Sequence, residues 1–170
     1  MEIKELVSRE TIENRLDELA KKLDEDYIDK DLVIVSVLRG AVFFTVELTL
    51  RMKSKMQFEF VQVSSYGENT ESSGSVQVKK DVSSDISGKD ILIVEDIIDS
   101  GITMDFLIKH LKAKNPRSIK ICSLASKPER RKVDVNIDYL GFEVPNKFLI
   151  GYGFDTKEYY RNLPYIGYVE

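Results

Sequence analysis

The sequence has one cysteine, Cys122, and that scarcity excludes an intramolecular disulfide framework and fits a reducing cytoplasm. Cys122 lies in Ile119-Lys120-Ile121-Cys122-Ser123-Leu124, which reads as a packed strand rather than the setting of a catalytic thiol. No apolar run approaches the roughly 20 residues a bilayer-spanning helix needs, and Met1-Glu2-Ile3-Lys4-Glu5 lacks the apolar core of a signal peptide. The expectation is a soluble, cytoplasmic protein with no membrane partner. Neither GxGxxG nor GxxxxGK followed by Ser or Thr occurs, so dinucleotide and P-loop readings have no motif. Lysine and arginine, 25 together, are outnumbered by 29 aspartates and glutamates, and the net charge of −4 does not suggest a dedicated nucleic-acid binder. A chain of 170 residues can bury one core in one domain without disulfides or metals.

The most informative stretch runs from residue 91 to 103. Ile91-Leu92-Ile93-Val94 follows Gly88-Lys89-Asp90 and reads as a strand buried on both faces of a parallel sheet. The strand is expected to end in acid, at Glu95-Asp96. After Asp99-Ser100-Gly101 the period changes: Met104, Leu107, Ile108 and Leu111 share one face of a helix. The free amides of Ser100 to Thr103 open that helix at the positive end of its dipole, and Gly101 permits the close backbone approach a phosphate needs. Glu95, Asp96 and Asp99 repel one another unless a cation, hydroxyls or a proton intervenes. The spacing alone leaves open an acidic loop that only caps the helix. It also leaves a receiver-type phosphorylation site, although nothing near the chain start supplies that site's second acidic pair.

Elsewhere strands and helices alternate. Ser8 caps a helix whose Ile12, Leu16, Leu19, Ala20 and Leu23 fall on one face. Residues 32–38 form a buried strand running into Arg39-Gly40 and a helix from Ala41 to Leu50. Residues 56–64 form another strand. Residues 65–75 are too rich in Gly, Ser and Asn to pack, and a loop of this length serves as a functional lid or a linker. Val76 and Val78 then alternate, Asn115-Pro116 stops the helix after the central strand, and residues 118–125 make the next strand. This order predicts an α/β fold with a parallel sheet and a ligand crevice at the carboxyl ends of its strands. Leu38-Arg39-Gly40, Glu95 to Thr103 and Ser126-Lys127 lie at such ends and are expected to converge. The run Glu129-Arg130-Arg131-Lys132 reads as solvated surface.

Residues 94–103, from Val94-Glu95-Asp96 through Asp99-Ser100-Gly101-Ile102-Thr103, resemble the 5-phosphoribosyl-1-pyrophosphate (PRPP) motif of the type I phosphoribosyltransferases. Leu38-Arg39-Gly40-Ala41 resembles that family's pyrophosphate loop, in which Lys often stands at the Arg39 position. Ser65-Tyr66 resembles the start of its mobile lid. Residues 139–155, from Tyr139-Leu140-Gly141-Phe142 through Lys147-Phe148-Leu149 to Asp155, and residues 158–167, from Glu158-Tyr159-Tyr160-Arg161 to Gly167, are similar to the C-terminal hood of its bacterial hypoxanthine-guanine branch.

The resemblance implies a single domain over residues 1–170: a parallel-sheet α/β fold with a flexible lid at about 65–75 and a small hood formed mainly by 133–170 with the N-terminus. It implies purine salvage, with Mg2+ as cofactor and PRPP and a 6-oxopurine base as substrates. Glu95 and Asp96 would bind the ribose hydroxyls and Mg2+, and Ser100, Gly101, Ile102 and Thr103 the 5′-phosphate. Asp99 would act as general base and acid near N7 of the purine. Leu38, Arg39, Gly40 and Arg161 would meet pyrophosphate. Lys127 would donate to the 6-oxygen, Phe148 would stack on the ring, and the main chain of Leu149 would read the Watson–Crick edge. Asp155 would hold a magnesium ion through water and contact the 2-position through its backbone. Ser65 and Tyr66 belong to the lid. Two departures touch none of these roles: Ile102 fills a variable position, and Thr156 stands where an aromatic often follows Asp155. The family forms dimers and tetramers, which implies a homodimer or homotetramer without nucleic acid; Ala41-Val42-Phe43-Phe44 serves either the interface or the core. Two rival classes are a regulator that keeps this fold but binds RNA, against which the acidic balance and purine-type hood argue, and an α/β domain that only binds partner proteins.

Overall fold

The structure, a computed structural model, describes residues 1–65 and 75–170. The expected lid, Tyr66 included, lies outside the described residues except at its two ends. The chain begins with strand β1, Ile3–Val7. Ser8 then caps helix α1, Arg9–Asp26, by accepting the Thr11 amide at 3.1 Å, which satisfies one of the helix's orphan donors. The expected apolar face of α1 is buried, as is every residue of β2, Leu32–Val37. There follow α2, Val42–Leu50; β3, Met56–Ser65; β4, Val76–Lys80; β5, Asp90–Ile98; α3, Ile102–Lys112; and β6, Ser118–Ser126. A 3-10 turn, Pro128–Arg130, leads to β7, Tyr139–Glu143; β8, Phe148–Ile150; and β9, Ile166–Val169.

Six strands form one sheet in the order β4-β3-β2-β5-β6-β7, parallel except for β4. On one face Ile34, Leu92, Val94, Cys122 and Leu124 pack with α1 and α2; on the other Val33, Val35, Ile91, Ile93 and Ile121 pack with α3. Successive residues of a strand therefore feed opposite cores, which is why β2 is apolar except for Ser36 and why Ile91 to Val94 of β5 are all apolar. Each fully buried Leu or Ile contributes about 1.5–3 kcal/mol on this account. Cys122 is buried in β6 and burial raises its thiol pKa, so it is a packing residue. β1, β9 and β8 make a second, antiparallel sheet. No helix among the described residues is long and apolar enough to cross a membrane.

Three expectations change in detail. β5 does not stop at the acids: β6 runs beside it with Glu95 opposite Ser123 and Ile98 opposite Ser126, so backbone pairing outlasts the apolar run. Tyr139–Glu143, grouped above with the hood, is the edge of the large sheet, where Tyr139 is buried and donates its hydroxyl to Asp26 at 2.6 Å. The start of α2 divides between uses, with Ala41 and Phe44 fully buried but Phe43 38 % exposed.

Candidate active site

The loop after β2 is the first wall. Its Leu38–Arg39 peptide bond is cis, and the Leu38 amide donates to the Val61 carbonyl at 2.8 Å. Gly40 has no room for a side chain, because a Cβ there would run into the Asp96 carboxylate. Gly153 has φ +104, and its missing Cβ is replaced by the Gly40 carbonyl. Three segments distant in sequence thus touch at two glycines: the β2 loop, the acidic end of β5 and the turn after β8.

The Asp96 amide donates to the Glu95 carboxylate at 2.8 Å, and the Ile97 amide to the Asp96 carboxylate at 2.7 Å. Burial pushes Glu95 well above the usual carboxylate range, and the charge of Asp96 adds to the rise. Asp96 is also raised by burial, against the pull of its hydrogen bonds and of the Arg161 guanidinium. A divalent cation beside the pair would favour the charged form of both carboxylates and oppose that rise.

From Asp99 the chain turns into α3. Gly101 sits at the helix N-cap with φ +88, where a side chain would strike the Val133 carbonyl. The Ile102 amide donates to Ser100 Oγ at 3.3 Å. A cavity of about 160 Å3 opens over this turn, lined by Glu95, Ile97, Ile98, Asp99, Ser100, Gly101, Thr103 and Met104; Ile102 does not line it. The turn is tied from outside. Arg131 donates to the carbonyls of Asp99 (3.0 Å) and Ile98 (3.3 Å) and to Ser126 Oγ (2.7 Å), while the amides of Lys132 and Val133 donate to the Ser100 carbonyl.

Lys127 is pinned to the end of β5 by its amide, which donates to the Ile98 carbonyl at 3.0 Å. Burial lowers the pKa of its ammonium, and the nearby Asp99 charge opposes that shift. Asp99 Oδ1 lies 2.7 Å from Arg130 Nε, a charge contact rather than an aligned hydrogen bond. The basic run expected to be solvated therefore holds the turn through Arg131 and its carboxylate through Arg130. Nothing in a charge run marks which members do this; the contacts span the β5–β6 pairing.

On the opposite side Phe148 opens β8 and is 56 % exposed, whereas Leu149 is 6 % exposed. Arg161 donates to the Gly153 carbonyl at 2.6 Å and lies 3.4 Å from Asp155. Asp155 accepts the Glu158 amide at 2.7 Å, and Glu158 in turn reaches Arg39 at 3.0 Å. Glu95 and Asp96 come together as expected. Asp155 does not join them in one cluster: among the described residues no group of three or more His, Cys, Asp or Glu is arranged to hold a metal.

The ends of β2 and β5 thus bring Arg39 and an acidic pair beside the C-terminal segment that carries Arg161, and the phosphoribosyl transferase domain family matches residues 2–157. The chain belongs to that family. Its relatives there include the hypoxanthine-guanine phosphoribosyltransferase of Mycobacterium avium, 45 % identical over 168 residues, which are 95 % of this chain and 83 % of that protein. The corresponding protein of Bacillus subtilis is 44 % identical over 164 residues, 96 % and 91 % of the two chains. A crystal structure of a hypoxanthine-guanine phosphoribosyltransferase from Bacillus anthracis matches with a TM-score of 0.95 at 42 % identity, covering 99 % of this chain and 100 % of that one.

Proposed function

We propose that this chain is a purine-salvage enzyme that transfers the 5-phosphoribosyl group of PRPP to N9 of hypoxanthine or guanine, giving IMP or GMP and pyrophosphate. The observation that carries the reading is the meeting of Gly40, Asp96, Gly153 and Arg161, which joins the β2 loop, the end of β5 and the C-terminal segment around one crevice. In it the amides at Ser100 to Thr103 take the 5′-phosphate, Glu95 and Asp96 the ribose hydroxyls, and Leu38, Arg39, Gly40 and Arg161 the pyrophosphate. Lys127, Phe148, Leu149 and Asp155 take the base, and the small sheet with the C-terminal segment forms the hood of a single domain. N9 attacks C1′, the bond from C1′ to the pyrophosphate oxygen breaks with its electron pair leaving on pyrophosphate, and the purine proton passes to Asp99. Positive charge developing on the ribose is stabilised by the carboxylates, and negative charge on the leaving group by the arginines.

Glu95 and Asp96 fit a hard divalent cation, which we take to be Mg2+: they are adjacent oxygen donors whose charged forms burial disfavours and a cation would favour. With no complete cluster of protein ligands among the described residues, the remaining positions fall to substrate oxygens and water, the usual way of holding this ion. Such an ion, when bound, supplies charge neutralisation at the departing pyrophosphate. Asp155, beside Arg161, would reach a metal through water.

A homodimer or homotetramer is part of the proposal, and the enzyme is placed in the cytoplasm. Phe43, Val46 and Leu50 are exposed on the outer stripe of α2, and Phe58 and Phe60 of β3 are exposed on the same side of the sheet. The side is fixed by Ser36, which stands opposite Phe60 and hydrogen-bonds Thr45 of α2 at 2.7 Å. Exposed apolar groups gathered this way mark interaction surfaces. None of the relatives named above is an RNA-binding regulator, and no observation favours that rival.

PRPP binding tests the acidic seat. Calorimetry with Mg2+ is expected to show binding that a chelator abolishes and that Asp96→Asn weakens by about 10–100-fold, the worth of a contact to a charged group. Equal affinity with chelator present, or in the variant, would remove the Glu95-Asp96 pair from the site.

A further inference from the structure

Glu158 stands between the two arginines assigned to pyrophosphate. Its carboxylate accepts from Arg39 at 3.0 Å and from Arg161 at 3.2 Å on both oxygens. These guanidinium groups come from opposite ends of the chain and carry the same charge, so an anion between them is what lets them share one place. The carboxylate is held there by its own backbone: the Glu158 amide donates to Asp155 at 2.7 Å, and Lys157, Glu158 and Tyr160 all adopt left-handed φ values of 51°, 71° and 73°. Side chains rarely accept that conformation, and where several do so together the surrounding contacts are maintaining it. Arg161 is fixed from its other side by the Gly153 carbonyl, whereas the Glu158 side chain is 59 % exposed, with solvent beside it.

We propose that Glu158 is an internal occupant of the pyrophosphate seat: it keeps Arg39 and Arg161 aligned while no diphosphate is bound and gives way when one arrives. The proposal rests on the assignment of those arginines to pyrophosphate made above. A carboxylate offers one negative charge and two oxygens, in exposed pairs that are individually weak. A diphosphate offers more charge and more acceptor oxygens to the same planar donors, so it displaces the carboxylate. The displaced Glu158 remains close and competes for the arginines again. It therefore sets how tightly the leaving group is held and favours its release, and it does so as a positioning residue that touches the arginines and forms no bond to substrate.

The test is direct binding of inorganic pyrophosphate in the presence of Mg2+, by calorimetry, to the full chain. Glu158→Gln keeps the size of the side chain but removes the competing charge, and is expected to lower the Kd for pyrophosphate by about three- to tenfold, as loss of weak exposed pairs implies. Its Kd for IMP and its thermal unfolding midpoint are expected to stay at wild-type values, and Glu158→Asp to stay near wild type. A purely structural Glu158 predicts the opposite sign, weaker pyrophosphate binding in Glu158→Gln together with a lower unfolding midpoint. Unchanged or weaker pyrophosphate binding in Glu158→Gln overturns the proposal while leaving the seat intact, provided Arg39→Ala or Arg161→Ala weakens it. Pyrophosphate binding unaffected by either arginine substitution overturns the seat assignment itself, and the occupant with it.

Discussion

Adenine is expected to be a poorer substrate than hypoxanthine by about 10⁴–10⁵-fold in kcat/KM, the range in which a site built for particular hydrogen bonds rejects a base that leaves them unpaired. The ammonium of Lys127 can only donate. On the proposed assignment it pairs with the 6-oxygen of hypoxanthine or guanine and confronts another donor in the 6-amino group of adenine. Adenine N1 carries no proton, so a main-chain carbonyl near Leu149 that expects an N1–H finds none. Two features make the penalty large. Lys127 is anchored by its own amide on the Ile98 carbonyl, and its half-buried head is already poor in water, as its lowered pKa reflects. Leu149 is buried and held in β8 opposite Tyr168, so its backbone cannot shift to suit the wrong edge. In Lys127→Ala most of the discrimination is expected to disappear, through loss of hypoxanthine turnover rather than gain of adenine turnover. Comparable kcat/KM for the two bases in the wild type, or unchanged discrimination in the variant, would show that another residue reads the 6-position.

Asp99→Asn is expected to lower turnover by about 10²–10⁴-fold, the usual worth of a positioned acid or base, while PRPP binding stays close to wild type. The split follows from the geometry. Asp96 is packed against the β2 loop, whereas Asp99 lies in the turn before α3, facing Arg130 and Lys127. The backbone of Asp99 is held independently of its side chain, by Arg131 on its carbonyl, so an amide in place of the carboxylate leaves the phosphate turn in shape. Single-turnover kinetics beside PRPP calorimetry separates the two quantities. Full turnover in Asp99→Asn would take this carboxylate out of proton transfer, and equal losses in binding and turnover would make it part of the PRPP seat.

The layers of this fold are legible where one residue type covers a whole element. A run such as residues 32–37, apolar except for Ser36, reads as a strand buried on both faces, and the face carrying Ile12, Leu16, Leu19 and Leu23 reads as a helix on a core. The acidic end of β5 was harder, because a charged side chain reads as the end of a buried strand while the backbone pairing that prolongs it belongs to β6. The antiparallel pairing of β1 with β9 joins residue 3 to residue 169, a register no local pattern carries. The site divides the same way. Glu95 to Thr103 is contiguous, so its three acids and the helix start stand out together in the sequence, although their spacing alone leaves more than one chemistry open. Arg130, Arg131 and Glu158 are charged residues among other charged residues, and only the contacts to Asp99, Ile98 and Arg39 distinguish them from solvated surface. Gly153 looks like any turn glycine until Gly40 is seen to fill the place of its Cβ.

The most direct measurement supplies PRPP and Mg2+ with hypoxanthine, guanine, xanthine or adenine in turn, and quantifies nucleoside monophosphate and pyrophosphate together. Equimolar nucleotide and pyrophosphate are expected with hypoxanthine or guanine, and neither above background with adenine. Pyrophosphate formed without nucleotide, or no nucleotide with any of the four bases, would contradict the assignment of phosphoribosyl transfer to a purine.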